Sequence, residues 1–183
     1  MKFKRLKISD IVEITPEVFK DNRGFFCEIF RLNIFKKIFK VKNINFIQDN
    51  LSKSKKYTLR GLHYQIENTQ DKLISVLDGE IFDVAVDLRK NSKTFGKYFS
   101  IYLSEKNGKS VFLPQGFAHG FLGVQKENII YYLCTNYRSA IHEHGIKWND
   151  KDLKIKWPIK KPITSKKDKN NIDFFEYKKN FID

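Results

Sequence analysis

Residues 81–88 are Ile81-Phe82-Asp83-Val84-Ala85-Val86-Asp87-Leu88. In an extended chain the even-numbered apolar side chains of this segment share one face, and Asp83 and Asp87 share the other. A period of two predicts a β-strand and argues against a helix. The polar face of such a strand either meets water or lines a pocket, and this segment alone leaves both open. Asp78-Gly79, just before it, predicts a tight hairpin turn.

Short apolar segments with the same period continue on both sides and predict an all-β chain whose strands are spaced as in a sandwich or barrel. The predicted strands are 25–30, 45–52, 57–65, 72–78, 80–88, 96–103, 109–113, 118–125 and 128–135. One helix is predicted at 31–39, where a single stripe contains Leu32, Phe35, Ile38 and Phe39.

The length of 183 residues predicts a single domain, 1–183. From about residue 158 the chain is rich in lysine and asparagine and contains Pro158 and Pro162. This composition predicts a loop-like C-terminal segment, 159–183, that wraps the barrel.

The net charge of +14 raises the question of a nucleic-acid partner. The basic residues are 29 lysines and only 6 arginines, whereas base readout favours the arginine fork, and no nucleic-acid-binding motif accompanies them. We therefore expect no nucleic acid, and a positive surface that speeds encounter with a small polyanion such as a nucleotide diphosphate. No long apolar segment or signal peptide is present, which predicts a soluble, cytoplasmic protein without membrane contact, and Cys27 and Cys134 are expected to be free thiols.

Polar residues recur on one face of several predicted strands. Gln48 and Asn50 share a face, as do Gly61, His63 and Gln65, and a third face contains Ile130, Tyr132 and Cys134. Convergence of such faces inside a barrel mouth would form a ligand pocket. Tyr131 and Tyr132 point to opposite faces, so one of them is expected to face inward.

Histidine and lysine supply the other candidate groups. His63 lies in a strand beside Gly61, which allows close approach of a ligand, and His119 lies between Gly116 and Gly120, but each also fits a structural role. His142 and His144 form a His-x-His pair, yet the further ligands of a metal site are missing. Lys72 opens an apolar strand, where its ammonium would lie at the pocket rim.

Seven segments follow one another in a recognisable order: Asp21 to Glu28, Gln48 to Ser52, Leu59 to Gln65, Gly79 to Arg89, Pro114 to Phe121, Tyr132 to Thr135 and Gly145 to Asp150. With these segments, residues 5–168 resemble the dTDP-4-dehydrorhamnose 3,5-epimerase family of sugar-nucleotide epimerases. The resemblance implies a cupin-type jelly-roll β-barrel with few short helices, a homodimer, and catalysis without metal or cofactor. The sequence also lacks a cupin metal motif, since Tyr64-Gln65 follows His63.

Epimerisation beside a ketone needs a base on one face of the sugar, an acid on the other and a donor at the developing oxyanion. The resemblance implies that His63 is the base, oriented by Asp168, and that Lys72 stabilises the oxyanion. It also implies a second pair, His119 and Asp83, near that oxygen. The resemblance also implies that Tyr132 is the acid that reprotonates the carbon.

The resemblance further implies substrate-binding residues. Arg23 and Arg60 match positions near the diphosphate, and positions lining the nucleotide and sugar are matched by Phe26, Glu28, Gln48 and Asn50. Where many family members have two adjacent tyrosines, this chain has Tyr137-Arg138, so Arg138 takes the place of a substrate-contacting aromatic. The resemblance therefore implies a substrate that is a dTDP-linked or GDP-linked 4-keto-6-deoxy sugar, a hexose or a heptose of the kind used for capsular polysaccharides, with inversion at C3, C5 or both.

Two other functions stay open on the sequence alone. A sugar-nucleotide ketoisomerase shares the jelly roll and the base chemistry but moves the carbonyl, and a non-catalytic sugar-binding cupin would share the fold only. The combination of His63, Lys72 and Tyr132 favours the epimerase, because a binding module has no use for opposed proton donors.

Overall fold

The computed structural model describes residues 1–6, 10–39 and 44–181. Within those ranges the chain forms two antiparallel sheets, a separate hairpin and three short helices. In chain order the elements are β1 (Lys2–Arg5), β2 (Val12–Thr15), β3 (Val18–Asp21), β4 (Gly24–Cys27), α1 (Leu32–Phe39), β5 (Gln48–Lys55), β6 (Leu59–Gln65), β7 (Lys72–Asp78), β8 (Glu80–Asp87), β9 (Tyr98–Ser104), β10 (Ser110–Leu113), β11 (Phe117–Gly123), β12 (Glu127–Cys134), β13 (Glu143–Gly145), α2 (Lys166–Lys169) and α3 (Phe174–Phe181).

The strands are arranged as a jelly roll, which confirms the predicted fold class. One sheet has the order β1-β2-β10-β7-β12-β5, the other has the order β13-β6-β11-β8-β9, and β3 pairs with β4 alone. Strands adjacent in a sheet are mostly distant in sequence, as expected when the chain passes repeatedly between the two sheets. None of the described helices is long and apolar enough to cross a membrane.

The predicted hairpin at Asp78-Gly79 is wrong. β7 and β8 belong to different sheets, so the turn carries the chain from one sheet to the other. Gly79 has φ +79°, and a Cβ there would lie 2.2 Å from the carbonyl oxygen of Glu127. A short glycine turn therefore allows a corner between sheets as readily as a hairpin, and the two-residue pattern does not distinguish them.

β8 is buried on both faces, which the alternating sequence did not reveal. Phe82, Val84 and Val86 pack outward against the C-terminal region, in a cluster that includes Phe174 and Tyr177. Asp83 and Asp87 are 1% and 0% exposed. The face that contains these carboxylates is thus closed to bulk water, and each carboxylate is satisfied by hydrogen bonds.

α1 lies where it was predicted, but its buried stripe is narrower. Phe35 is 2% exposed and packs against Phe39 and Phe112, whereas Ile38 is 40% exposed. At roughly 100° per residue, Leu32 and Phe39 fall on one side of Phe35 and Ile38 on the other. Ile38 therefore lies outside the stripe.

The C-terminal region is not the loop predicted after residue 158, because it contains α2 and α3. Phe174 and Tyr177 are buried at helical spacing, and the surrounding lysines obscured this pattern in the sequence. Bridges Thr58↔Ile163 and Ile146↔Ile172 fix the region against the five-stranded sheet. Residues 182–183 of the predicted segment lie outside the described residues. The short strands β1, β2, β3 and β13 were also missed.

Candidate active site

A cavity of about 510 Å³ opens between the two sheets. Strands of both sheets and the segment before and within α2 supply its walls. The lining residues are Gln48, Asn50, Ser52, Thr58, Leu59, Arg60, His63, Gln70, Lys72, His119, Gly120, Phe121, Tyr132, Arg138, Glu143, Ile163, Thr164, Ser165, Lys167 and Asp168.

Most of the residues predicted from the sequence converge on this cavity. They are Gln48, Asn50, Arg60, His63, Lys72, His119, Tyr132, Arg138 and Asp168, with Asp83 directly behind His119. Three predicted residues, Arg23, Phe26 and Glu28, do not line it. The polar faces of β5, β6 and β12 therefore meet in one pocket, as the alternation indicated.

His63 and Asp168 form a close pair. His63 Nε2 lies 2.5 Å from Asp168 Oδ1, and Asp168 is 4% exposed while the histidine is more accessible. The backbone N–H of Asp168 donates to the side chain of Ser165, which caps α2 and fixes the carboxylate. Burial alone would raise the pKa of Asp168, but the hydrogen bond and charge of His63 lower it below its ordinary value. The carboxylate thus stays ionised and holds the imidazole in place.

Close approach of β6 and β11 places two histidines side by side. His119 and His63 are directly opposed in the strand register. Gly61 has φ +113°, and a Cβ there would lie 2.6 Å from the carbonyl oxygen of His119. Only glycine fits this position, so the Gly61 that precedes His63 is explained by strand packing as well as by ligand access.

His119 is held by the buried carboxylate of β8. Its Nε2 lies 2.7 Å from Asp83 Oδ2, and both side chains are largely enclosed. Lys72 lies at the start of β7 in the same cavity. Burial lowers the pKa of Lys72, and nearby Cys134, Glu143 and Asp83 act in the opposite direction. Two imidazoles and an ammonium therefore face the same small volume.

Tyr132 enters the cavity from the opposite sheet. It lies on β12, whereas His63 and His119 lie on β6 and β11. Burial raises the pKa of Tyr132 above its ordinary value. Tyr131 points to the other face, where its hydroxyl donates to Asp49 Oδ2 at 3.3 Å. The expectation that one of these two tyrosines faces inward is confirmed.

A chain of amides lines the floor beside Tyr132. Gln48 Nε2 donates to Asn50 Oδ1 at 2.8 Å, and Asn50 Nδ2 lies 3.7 Å from Cys134 Sγ. Cys134 is buried and Cys27 is half-buried, and both are free thiols, as predicted. Arg60 is fixed at the cavity wall by Ser54 Oγ at 3.0 Å.

The sequence did not reveal an ionic cluster at the cavity mouth. Glu143 accepts hydrogen bonds from Arg138 at 2.7 and 3.1 Å and forms a short ion pair with Lys167. Burial opposes ionisation of Glu143, yet Arg138 and Lys167 lower its pKa to about 2. Glu143 is the residue between His142 and His144, the pair considered as metal ligands in the sequence, and its carboxylate faces the cavity. His144 instead stacks on Tyr64.

The three predicted residues that miss the cavity lie on or next to the β3–β4 hairpin. Arg23 is paired with Asp21, and Glu28 is paired with Arg31. Phe26 is 68% exposed and stacks on Phe19, which is 57% exposed. The hairpin therefore presents aromatic and charged side chains to the surroundings rather than to the pocket of its own chain.

A family model described as dTDP-4-dehydrorhamnose 3,5-epimerase matches residues 5–176. The chain belongs to this family. It is 44% identical over 177 residues to the dTDP-4-dehydrorhamnose 3,5-epimerase of Shigella flexneri, covering 96% of this chain and 97% of that protein. The enzyme of the same name from Methanothermobacter thermautotrophicus is 44% identical, with 92% of each chain covered.

Solved structures of the family share the whole fold. The dTDP-6-deoxy-D-glucose-3,5-epimerase of Legionella pneumophila, solved with dTDP-4-keto-L-rhamnose, superposes with a TM-score of 0.92 at 39% identity. The superposition covers 100% of this chain and 94% of the Legionella chain. The present chain is accordingly an isomerase that epimerises nucleotide-linked 4-keto-6-deoxy sugars. These findings favour the epimerase over the ketoisomerase and over the non-catalytic binding module.

Proposed function

We propose that the substrate is a dTDP-linked 4-keto-6-deoxyhexose and that this epimerase inverts both C3 and C5. The dTDP sugar bound by the Legionella enzyme and the names of the curated relatives support the nucleotide and the sugar. The observation that most supports the proposed reaction is that His63 and Tyr132 lie on opposite walls of one cavity. It is the arrangement that an inversion at carbon requires.

The ketone at C4 makes the hydrogens on C3 and C5 acidic, because loss of either gives an enolate. We assign proton abstraction to His63, since its imidazole is held by the buried Asp168 carboxylate, which also stabilises the imidazolium that forms. Abstraction moves the electron pair of the C–H bond towards the C4 oxygen. The charge that develops there needs a donor within the same cavity.

Lys72 is assigned to that developing oxyanion. Its ammonium lies in a buried setting, where a positive charge acts more strongly on an anion than it does in water. His119, oriented by Asp83, is assigned to the same oxygen from the neighbouring strand. Tyr132 then gives its proton to the carbon from the face opposite His63, which completes the inversion.

The dimer expected from the sequence also accounts for the β3–β4 hairpin. A hairpin with Phe19, Phe25 and Phe26 each more than half exposed is unusual for a free surface and favours burial against a second copy of the chain. In such a homodimer, Arg23 and Phe26 would reach the partner's cavity and contact the nucleotide. This proposal reconciles their predicted role with their distance from the cavity of their own chain.

Mixing two inactive variants tests whether the β3–β4 hairpin contributes Arg23 to the cavity of the partner subunit. His63→Asn and Arg23→Ala are each expected to be nearly inactive at low substrate concentration, and mixing them after reversible dissociation should restore activity. Each mixed dimer would contain one intact site, so random pairing restores about a quarter of the wild-type activity. If the mixture is no more active than the sum of its parts, Arg23 acts within its own chain or not at all.

The nucleotide and sugar are tested by turnover of two substrates. Purified protein is incubated separately with dTDP-4-keto-6-deoxyglucose and with a GDP-4-keto-6-deoxyheptose, and the products are identified by NMR. We expect inversion at C3 and C5 of the dTDP hexose and at least a hundredfold lower kcat/KM for the GDP heptose, a difference of about 2.7 kcal/mol in transition-state binding. Preference for the GDP sugar would overturn the proposed substrate and leave the epimerase chemistry intact.

A further inference from the structure

Arg138 lies beyond the end of β12 and faces the same cavity as Tyr132. Over half of its side chain is exposed, yet the guanidinium is fixed by two hydrogen bonds to Glu143. Its backbone N–H donates to Gln48 Oε1 at 2.8 Å, and Gln48 in turn donates to Asn50, the residue opposite Tyr132 in the sheet register. The arginine is thereby tied through Gln48 to the sheet that contains Tyr132, and through Glu143 to the other sheet.

The charged and titratable groups around the Tyr132 phenol oppose one another. Burial raises its pKa most, Cys134 and Glu143 raise it further, and Arg60 and Arg138 lower it. Lys72, His63 and His119 line the same cavity from the other strands. Glu143 is thus the carboxylate that would resist formation of a phenolate at Tyr132, and both Arg138 and Lys167 pair with it.

We propose that Arg138 is a positioning residue for proton transfer from Tyr132, neutralising Glu143 and stabilising the phenolate that the transfer leaves. The proposal rests on the proposed role of Tyr132 as the acid. In this step the electron pair of the enolate carbon forms the new C–H bond, and the O–H bond of Tyr132 breaks. The negative charge moves from the enolate to the phenol oxygen, which later regains a proton from solvent.

A partition experiment in deuterium oxide separates this role from substrate binding. For each variant, the inverted product is measured by NMR and divided by the total deuterium taken up at the same carbon of recovered substrate and product. Arg138→Gln should lower this ratio about tenfold, because inversion falls further than deuterium uptake, as expected when one charge near a partly buried group is lost. Arg138→Lys, which keeps the charge, should recover most of the ratio.

The same proposal predicts coupling between the two residues. In a Tyr132→Phe background, Arg138→Gln should change the ratio no further, because no phenolate forms. In the single variant Arg138→Gln, the rate of inversion should also begin to fall at a higher pH than in the wild type. The reason is that Arg138 lowers the pKa of Tyr132, so its loss keeps the phenol protonated to higher pH. Thermal unfolding of each variant checks that the fold is kept.

Each other outcome has a definite meaning. Equal loss of uptake and inversion in Arg138→Gln would place Arg138 on the substrate and overturn the proposal. A wild-type ratio in Arg138→Gln, with inversion lost in Tyr132→Phe, would overturn it while leaving the proposed acid in place. Inversion that survives Tyr132→Phe would remove the acid role itself, and with it any role of Arg138 through that residue.

Discussion

His63→Asn is expected to abolish deuterium uptake from solvent at both C3 and C5. Asparagine keeps a polar group of similar reach but cannot accept the proton, so the rate of abstraction should fall by at least about 10³-fold. Nucleotide binding should persist, because the proposed role of His63 is confined to the sugar and the substitution leaves Arg60, Gln48 and Asn50 in place. Uptake is measured by NMR, and dTDP binding by calorimetry.

His144→Asn is the matched control for this substitution. His144 lies one strand away on β13 but stacks on Tyr64 and Phe181, outside the cavity. It should leave uptake unchanged. Appreciable exchange in His63→Asn at either carbon would assign the base for that carbon to another residue, with His119 the nearest imidazole.

Tyr132→Phe is expected to separate the two halves of the reaction. Abstraction by His63 should continue in deuterium oxide. The proton on the imidazole is then replaced by a deuteron from solvent, and His63 returns this deuteron to the same face of the sugar, so deuterium should enter the recovered substrate. Formation of inverted product should fall about 10²-fold or more, since the opposite face has lost its donor. The substitution removes one hydroxyl and leaves the ring, so the cavity wall is preserved.

Tyr131→Phe provides the control for Tyr132→Phe. It removes the same atom from the neighbouring residue, whose hydroxyl contacts Asp49 on the outer face of the sheet. Product formation should match the wild type. A Tyr132→Phe variant that inverts both carbons at the wild-type rate would show that the acid is a different group.

The convergence of polar side chains on the cavity was predictable because strand alternation fixes which side chains share a face. Gln48 with Asn50, and Ile130 with Tyr132 and Cys134, required only a period of two. The family resemblance added Asp168 and implied roles for Lys72 and His119, and the separation of these residues along the chain exceeds the range of any local pattern. The inward direction of Tyr132, as opposed to Tyr131, needed the sheet partners of β12.

What the sequence missed depends on contacts between distant segments. Gly79 lies in a turn between the two sheets, where Glu127 of β12 packs closely against it. No local sequence pattern indicates this contact. Glu143 is held by ion pairs with Arg138 and Lys167, which precede and follow it in the sequence. The C-terminal helices form where Phe174 and Tyr177 find the outer face of β8, so their stability comes from packing rather than from helix propensity.

The most direct test of an opposed acid and base is the source of the hydrogen at the inverted carbons. Wild-type protein is incubated with dTDP-4-keto-6-deoxyglucose in deuterium oxide, and the product is examined by NMR at each carbon. We predict deuterium at both C3 and C5 from the first turnovers, since the new hydrogen comes from a group in exchange with solvent and not from His63. Inverted product that retains its original hydrogen at these carbons would contradict the account, because a single group would then have moved the proton between faces.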